Sequence, residues 1–357
     1  MESFDIVDWG KPLQSVVRET PVPTGEQVRV RVTACGVCHS DLHIKTGALD
    51  LGQGRSVSFE SVGVRLPFTM GHEIVGVVDA VGPDSTAVPG TPCVVYPWAG
   101  CGHCRHCLRD HELSCDAGQA LGTRRPGGYA DYVIVAHQRY LLDYGMLDPQ
   151  LAATCACSGL TAYSAWNKCP ALSEDDTVLI IGAGGLGLAA LGLAEAVTKA
   201  RLVIGDIHSD KLALAERLGA TILDMAEHDA AATLKKMVGE GVRAVIDFVG
   251  TPSTVEFAMK VAGRGAIIVV VGLFGGATSL STALLPMKNL TLRGSYVGSL
   301  AEMKALLELV KRGVSLNVPL DIRPMAEINQ ALDDLAAGRV SGRIVAQVSP
   351  GVFGAAT

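Results

Sequence analysis

The 357-residue chain carries 30 Lys and Arg against 36 Asp and Glu, a formal net charge of −6, and no Lys/Arg-rich run, which argues against a nucleic-acid binder. With 48% apolar and 18% charged residues it reads as globular rather than disordered, and its length exceeds one comfortable core, so two domains are expected. No apolar stretch reaches bilayer length, and the opening MESFDIVDWGKPLQ has early acids and no apolar h-region; the expected compartment is the reducing cytoplasm, where clustered cysteines bind metal more often than they pair.

Up to about Leu151 the chain reads as short strands and loops punctuated by Gly and Pro. Val28–Thr33 (VRVRVT) alternates as a half-buried strand should, and Ile74–Val81 and Tyr132–Ala136 are further strand candidates. Two segments here could supply metal ligands: CGVCHSDLH (35–43) offers Cys38, and MGHEIVG offers His72 followed by Glu73. Further on, CGHCRHCLRDHELSC places Cys101, Cys104, Cys107 and Cys115 at C-x2-C-x2-C-x7-C spacing. Such short spacers let neighbouring thiolates converge on one tetrahedral ion, and four thiolates leave no open position. That zinc is therefore expected to be structural, tying down a polar lobe with little core of its own. The run does not continue as an iron–sulfur sequence would, and His103, His106 and His111 read as solvated loop residues.

A catalytic zinc needs an open position, and Cys38, His72 and a cysteine from ATCACSGLTAYSA would form a Cys2His set. Spacing alone leaves Cys155 and Cys157 as candidates. A helix predicted over Gly159–Lys168 would put Cys157 at its N-terminus, where free amides favour a thiolate. Cys155 would then be a small buried residue.

From Ser158 the rhythm changes to alternating strands and helices. Strands are expected at Thr177–Ile181, Arg201–Asp206, Ala244–Val249, Gly265–Leu273 and Leu290–Tyr296; helices at Leu186–Thr198, Asp210–Leu218, Ala230–Val238, Ser253–Ala262 and Ala301–Arg312. This is the pattern of an α/β, doubly wound parallel sheet. The motif Gly182-x-Gly184-x-x-Gly187, with Gly185 and Leu186 inside it, follows one strand and opens a helix, as a dinucleotide site requires. Asp206 ends the next strand, about 20 residues on, where a carboxylate accepts from ribose hydroxyls and repels a 2′-phosphate, so NAD is expected rather than NADP. Lys211 is placed to assist at the ribose. The tail returns to a mixed pattern ending in a strand, Arg343–Val348, that could complete the first domain.

CGVCHSDLH, GHE, the four-cysteine lobe, CSGLTAY and GAGGLG occur in an order that resembles the zinc-dependent alcohol dehydrogenases of the medium-chain dehydrogenase/reductase superfamily over nearly the whole chain. The resemblance implies a GroES-like, mostly-β catalytic domain over residues 1–157 with a structural zinc lobe at about 98–116, a Rossmann NAD-binding domain over 158–298, and a C-terminal return over 299–357. It implies Cys38, His72 and Cys157 as catalytic zinc ligands, with Glu73 as the acid beside the metal. Asp41 would orient the ligand histidine, Ser40 and His43 would form a proton relay, and His39 would lie near the pyrophosphate. Val249, Val271 and Leu273 would flank the nicotinamide. Trp98 matches a wall of the substrate pocket and equally suits ordinary core packing.

The activity implied is reversible hydride transfer between a primary or secondary alcohol and NAD, by a cytoplasmic homotetramer or else a dimer, with two Zn2+ per chain and no nucleic-acid or membrane partner. A zinc-free quinone or enone reductase of the same superfamily and a non-catalytic zinc-ribbon interaction protein are the rivals. Two segments depart from the family pattern. An acidic turn is replaced by PGTPCVV (89–95), expected to alter local packing only. The stretch Leu49–Pro67 before His72 is longer than usual; its Gly and Ser residues suggest a mobile rim at the cleft mouth.

Overall fold

The computed structural model describes residues 1–239 and 241–348. The last nine residues of the expected C-terminal return, 349–357, lie outside the described residues.

The first sheet is built around the strand Val28–Gly36. Its first half alternates, with Val28, Val30 and Val32 buried and Arg29, Arg31 and Thr33 partly open. From Ala34 to Gly36 both faces are buried, because the strand there runs beneath the site described below. Glu73–Val81 and Tyr132–Val135 pair antiparallel with it, and so does the tail strand Arg343–Gln347, which sets Val345 opposite Gly36. A separation of some three hundred residues thus closes into one sheet, and it carries Arg343 next to the start of the strand at Glu73.

Among the described residues the second sheet has six strands, all parallel, in the order Thr221–Asp224, Arg201–Asp206, Thr177–Ile181, Val242–Asp247, Ala262–Val270, Thr291–Gly294. The chain reverses direction of winding at Thr177–Ile181, so a crevice opens there at the strand carboxyl ends. TVLII is buried on both faces: Val178 and Ile180 pack with Leu188 and Leu193 of the helix Gly185–Val197, while Leu179 and Ile181 pack with Leu234 and Met259 on the opposite face. The short edge strand Thr221–Asp224, in which only Leu223 is fully buried, escapes the sequence reading.

Two expectations change. The helix predicted to begin at Gly159 begins at Pro149. Asp148 caps it by accepting from the Gln150 and Leu151 amides, with Pro149 in its first turn. It continues through a π-turn, Cys155–Gly159, into Leu160–Trp166. Cys157 therefore lies inside a continuous helical run, not at a helix N-terminus, and the boundary expected between 157 and 158 falls within that run. The segment expected as a mobile rim contains a β-hairpin, Ala48–Gly52 with Arg55–Ser58. Gln53 and Gly54 both have positive φ (54° and 72°), as a two-residue hairpin turn of this hand needs.

Candidate active site

Cys38 follows the central strand and caps the helix His39–Thr46, its side chain facing the N3 amide while Asp41 accepts from the Cys38 amide at 2.9 Å. Its Sγ lies 3.9 Å from that of Cys157. Hydrogen bonding from Cys157, helped against burial by Arg343 and His72, holds the Cys38 thiol well below its ordinary pKa. The same contact with Cys38, together with burial, raises Cys157. Of the two thiols, Cys38 is thus the more readily deprotonated.

His72 is fully buried, and Asp41 Oδ1 stands 3.4 Å from its Nδ1. Asp41 is itself held by the Cys38 amide and by the Tyr129 hydroxyl at 2.8 Å. Neither imidazole nitrogen of His72 has a hydrogen-bond partner. Buried polar atoms without partners are rare, yet this ring sits in a group where ligand atoms of Cys38, His72, Glu73 and Cys157 all lie within 4.8 Å of one another. Two thiols, an imidazole and a carboxylate suit zinc, so the donor set fits a catalytic ion.

Glu73 is completely buried and paired with Arg343, whose Nε lies 3.4 Å from its Oε2. Gly36 is the residue that admits this carboxylate: a Cβ there would come within 2.8 Å of the Glu73 Cβ. Ser40 Oγ lies 3.8 Å from Cys38 Sγ. His43, one turn further along the helix, is half-buried, and burial lowers its pKa, favouring the neutral ring. Trp98 is buried with its ring 5.3 Å from that of His72, and its indole donates to the Ala156 carbonyl at 3.0 Å. Tyr296 meets it edge-on at 5.9 Å while keeping 55% of its surface open.

Tyr129, Tyr296 and Arg343 belong to this constellation and were not found in the sequence. Tyr129 and Tyr296 each sit in otherwise ordinary strand-and-loop text, and Arg343 is 270 positions from Glu73.

At the second sheet the three motif glycines have distinct surroundings. Gly182 takes φ +98° at the turn; a Cβ on Gly184 would meet nothing within 4 Å; one on Gly187 would strike the Gly182 carbonyl. Those are the tight turn, the open approach for a pyrophosphate and the close helix–strand contact. Gly185 opens the helix close to the Gly342 carbonyl and Arg343 side chain, with Leu186 partly buried beside it. Asp206 accepts from the Ala183 amide at 2.8 Å and the His208 amide at 2.9 Å, tying the strand end to the glycine loop. Burial chiefly disfavours the charged form of His39, with Arg343, His43 and, least, Lys211 in the first turn of the next helix adding to it. Val249, Val271 and Leu273 lie just past the neighbouring strands; Val271 is buried and Leu273 is 39% exposed.

The cysteine lobe has no strand, only two short 3-10 turns, and its Leu108 and Leu113 are exposed. Sγ separations of 3.5 Å (Cys104–Cys107) and 3.9 Å (Cys101–Cys107) bracket the roughly 3.8 Å expected of thiolates about 2.3 Å from one tetrahedral ion. Cys115 completes the group, its sulfur accepting from the Cys101 amide at 3.4 Å. The amides of His103 and Cys104 pull Cys101 down to about 6, whereas burial pushes Cys107 up to about 12.

Residues 24–144 match the family described as alcohol dehydrogenase GroES-like domain, and residues 185–312 match that described as zinc-binding dehydrogenase. An NAD-dependent alcohol dehydrogenase of Sulfurisphaera tokodaii is 34% identical over 97% of this chain and 99% of its own. An alcohol dehydrogenase of Geobacillus stearothermophilus is 32% identical over 98% and 100%. The crystal structure of the alcohol dehydrogenase of Aeropyrum pernix superposes with a TM-score of 0.88 at 30% identity, covering 97% of this chain and 100% of that one. With two family models over most of the chain and relatives alike along its full length, the chain belongs to the zinc-type alcohol dehydrogenases of the medium-chain dehydrogenase/reductase superfamily.

Proposed function

We propose that this protein transfers a hydride reversibly between a primary or secondary alcohol and NAD, with Cys38, His72 and Cys157 holding a catalytic zinc and the four-cysteine lobe holding a structural one. The observation that carries the reading is the buried His72 ring, its Nε2 without a hydrogen-bond partner, among two thiols and a carboxylate. The zinc supplies Lewis-acid polarisation of the alcohol oxygen, and NAD supplies the hydride acceptor.

The chain's own residues do the rest. Asp41 holds the His72 ring in orientation from its Nδ1 side. Glu73 keeps a carboxylate beside the ligands, its charge balanced by Arg343. Ser40 takes the substrate's hydroxyl proton, and His43, half-open and favoured neutral, passes it to solvent. Trp98 and Tyr296 wall the cleft against water and favour an apolar alcohol of some bulk. Asp206 selects the unphosphorylated ribose, with Lys211 beside it and His39 toward the phosphates.

The reading includes catalytic, coenzyme and returning segments over 1–157, 158–298 and 299–357, and a cytoplasmic homo-oligomer, a tetramer or else a dimer; sedimentation would measure the last. The test of the whole is metal content together with NAD reduction over primary, secondary, cyclic and aromatic alcohols. Two zincs per chain and turnover of at least one alcohol class are expected. A metal-free protein that reduces quinones or enones would replace this reading by the zinc-free reductase, and a zinc protein without NAD affinity would leave only an interaction module.

A further inference from the structure

We propose that the hairpin Ala48–Ser58 is a coenzyme clasp, in which Gly52 presses backbone to backbone on Gly276–Ala277 and so holds the loop after the strand Ala262–Val270 over the nicotinamide half of the dinucleotide. The inference rests on the NAD reading above and adds to it a pair of positioning residues, Gly52 and Gly275.

The two halves of the clasp are anchored to different sheets. The hairpin belongs to the catalytic side: the Phe59 amide donates to the Gly47 carbonyl at 2.9 Å, and Trp9 lies against Gly47 and donates its indole N–H to Glu60 at 3.2 Å. The opposing loop belongs to the coenzyme side: Thr278 donates to Glu256 on the helix Pro252–Val261 at 2.5 Å, and Gly276 lies on the Pro252 ring. Between these anchors the halves meet at a seam of glycines. A Cβ on Gly52 would strike the Gly276–Ala277 backbone and come within 2.7 Å of the Ala277 Cβ. A Cβ on Gly275 would come within 2.7 Å of the Asp50 carbonyl. Next in the loop, the Phe274 ring meets His39 at a tilt of 47°, with ring centroids 5.2 Å apart.

The loop leaves the sheet at a strand carboxyl end beside the crevice, where dinucleotides bind in folds of this winding. Val271 and Leu273 introduce it, and Asp206, at the adenosine end, lies three strands away across the switch point. The seam therefore bears on the nicotinamide end of the coenzyme and not on its adenosine end. An added methyl at Gly52 must push the loop outward, because what it meets is backbone.

Gly54 provides the control. It occupies the same turn with φ +72°, close to the +78° of Gly52, but a Cβ there meets nothing within 4 Å. Gly52→Ala and Gly54→Ala thus share backbone strain and differ in contact with the coenzyme side. In the zinc-loaded full chain, NADH affinity and release rate are read by the fluorescence of bound NADH, and ADP-ribose affinity by competition. Gly52→Ala is expected to weaken NADH and speed its release by about tenfold, with ADP-ribose within about twofold of the unmodified protein and Gly54→Ala near it on both. Gly275→Ala, which spoils the seam from the other side, should repeat the effect and carries the test if Gly52→Ala does not fold. Equal NADH affinity in the Gly52→Ala and Gly54→Ala proteins, or equal losses of NADH and ADP-ribose, would overturn the clasp. An unmodified protein that bound no NADH would instead overturn the coenzyme reading beneath it.

Discussion

Arg343, in the last strand, forms a buried ion pair with Glu73, which begins the strand following His72. Both side chains are almost wholly out of water. Burial alone would favour a neutral Glu73, and the guanidinium opposes that. Removing one partner of such a pair leaves an uncompensated charge, typically a loss of about 3–5 kcal/mol. Arg343→Met should accordingly lower unfolding stability by about that amount. Arg343→Met with Glu73→Leu should recover part of it, since no charge is then stranded. Denaturant titration of the single and double variants decides; a single variant as stable as the parent would show that the pair carries no net charge burial.

Asp206 has two claims on its carboxylate, the ribose proposed for it and the amides of Ala183 and His208. Asp206→Ala should narrow the preference for NAD over NADP and also lower efficiency with NAD by about tenfold, because the glycine-loop amide loses its acceptor. Asp206→Asn keeps an acceptor oxygen and should hold more of the NAD activity. Comparable efficiency with the two coenzymes in the unmodified protein would remove the ribose role.

The parallel sheet was legible because burial on both faces writes continuous apolar runs such as TVLII, closed by Gly or Asp at the strand ends. The cysteine group of the lobe was legible because its spacing is local. The helix around Cys157 was misread for a physical reason: Ser158-Gly159 looks like punctuation, whereas in the fold the small residues Cys155–Gly159 are all buried and let a π-turn pass close to the metal group. The hairpin tip was hidden by exposure, since Arg55, Ser56 and Val57 show no inward face. Arg343 reaches the site through long-range sheet pairing and Tyr296 from the segment just after the strand Thr291–Gly294, and a single sequence holds no signal for either.

Tyr296 and Trp98 form an aromatic corner beside His72. Tyr296→Ala should raise KM for benzylic and cyclic alcohols by about threefold to tenfold, the worth of one aromatic contact, and change short aliphatic alcohols less. A uniform change across the panel would mean that the ring shapes the cleft without meeting substrate.

Cys104→Ser tests whether the lobe is structural. With two short turns and exposed leucines, it has little apolar burial to hold it without an ion. One zinc per chain should be lost together with thermal stability, while any enzyme that remains folded keeps its hydride-transfer rate. A folded, fully metallated variant with a specific loss of the chemical step would assign catalysis to the lobe.

The choice between Cys155 and Cys157 now stands on geometry rather than on a helix terminus. Both lie in the π-turn and both are buried. Cys157 Sγ is 3.9 Å from Cys38 and belongs to the group with His72 and Glu73. Cys155 Sγ instead faces the Leu151 carbonyl at 3.6 Å, one turn back along the same helix, and burial pushes its thiol up to about 12. Turned to a backbone carbonyl, the Cys155 sulfur stands apart from the group that Cys157 forms with Cys38, His72 and Glu73. Cys157→Ser should therefore lose one of two zincs and nearly all activity while the lobe keeps its metal. Cys155→Ser, close in volume and able to donate to the same carbonyl, should keep both zincs and most activity. Metal analysis of the two purified variants separates them, and loss of the catalytic zinc from the Cys155 variant alone would reverse the assignment.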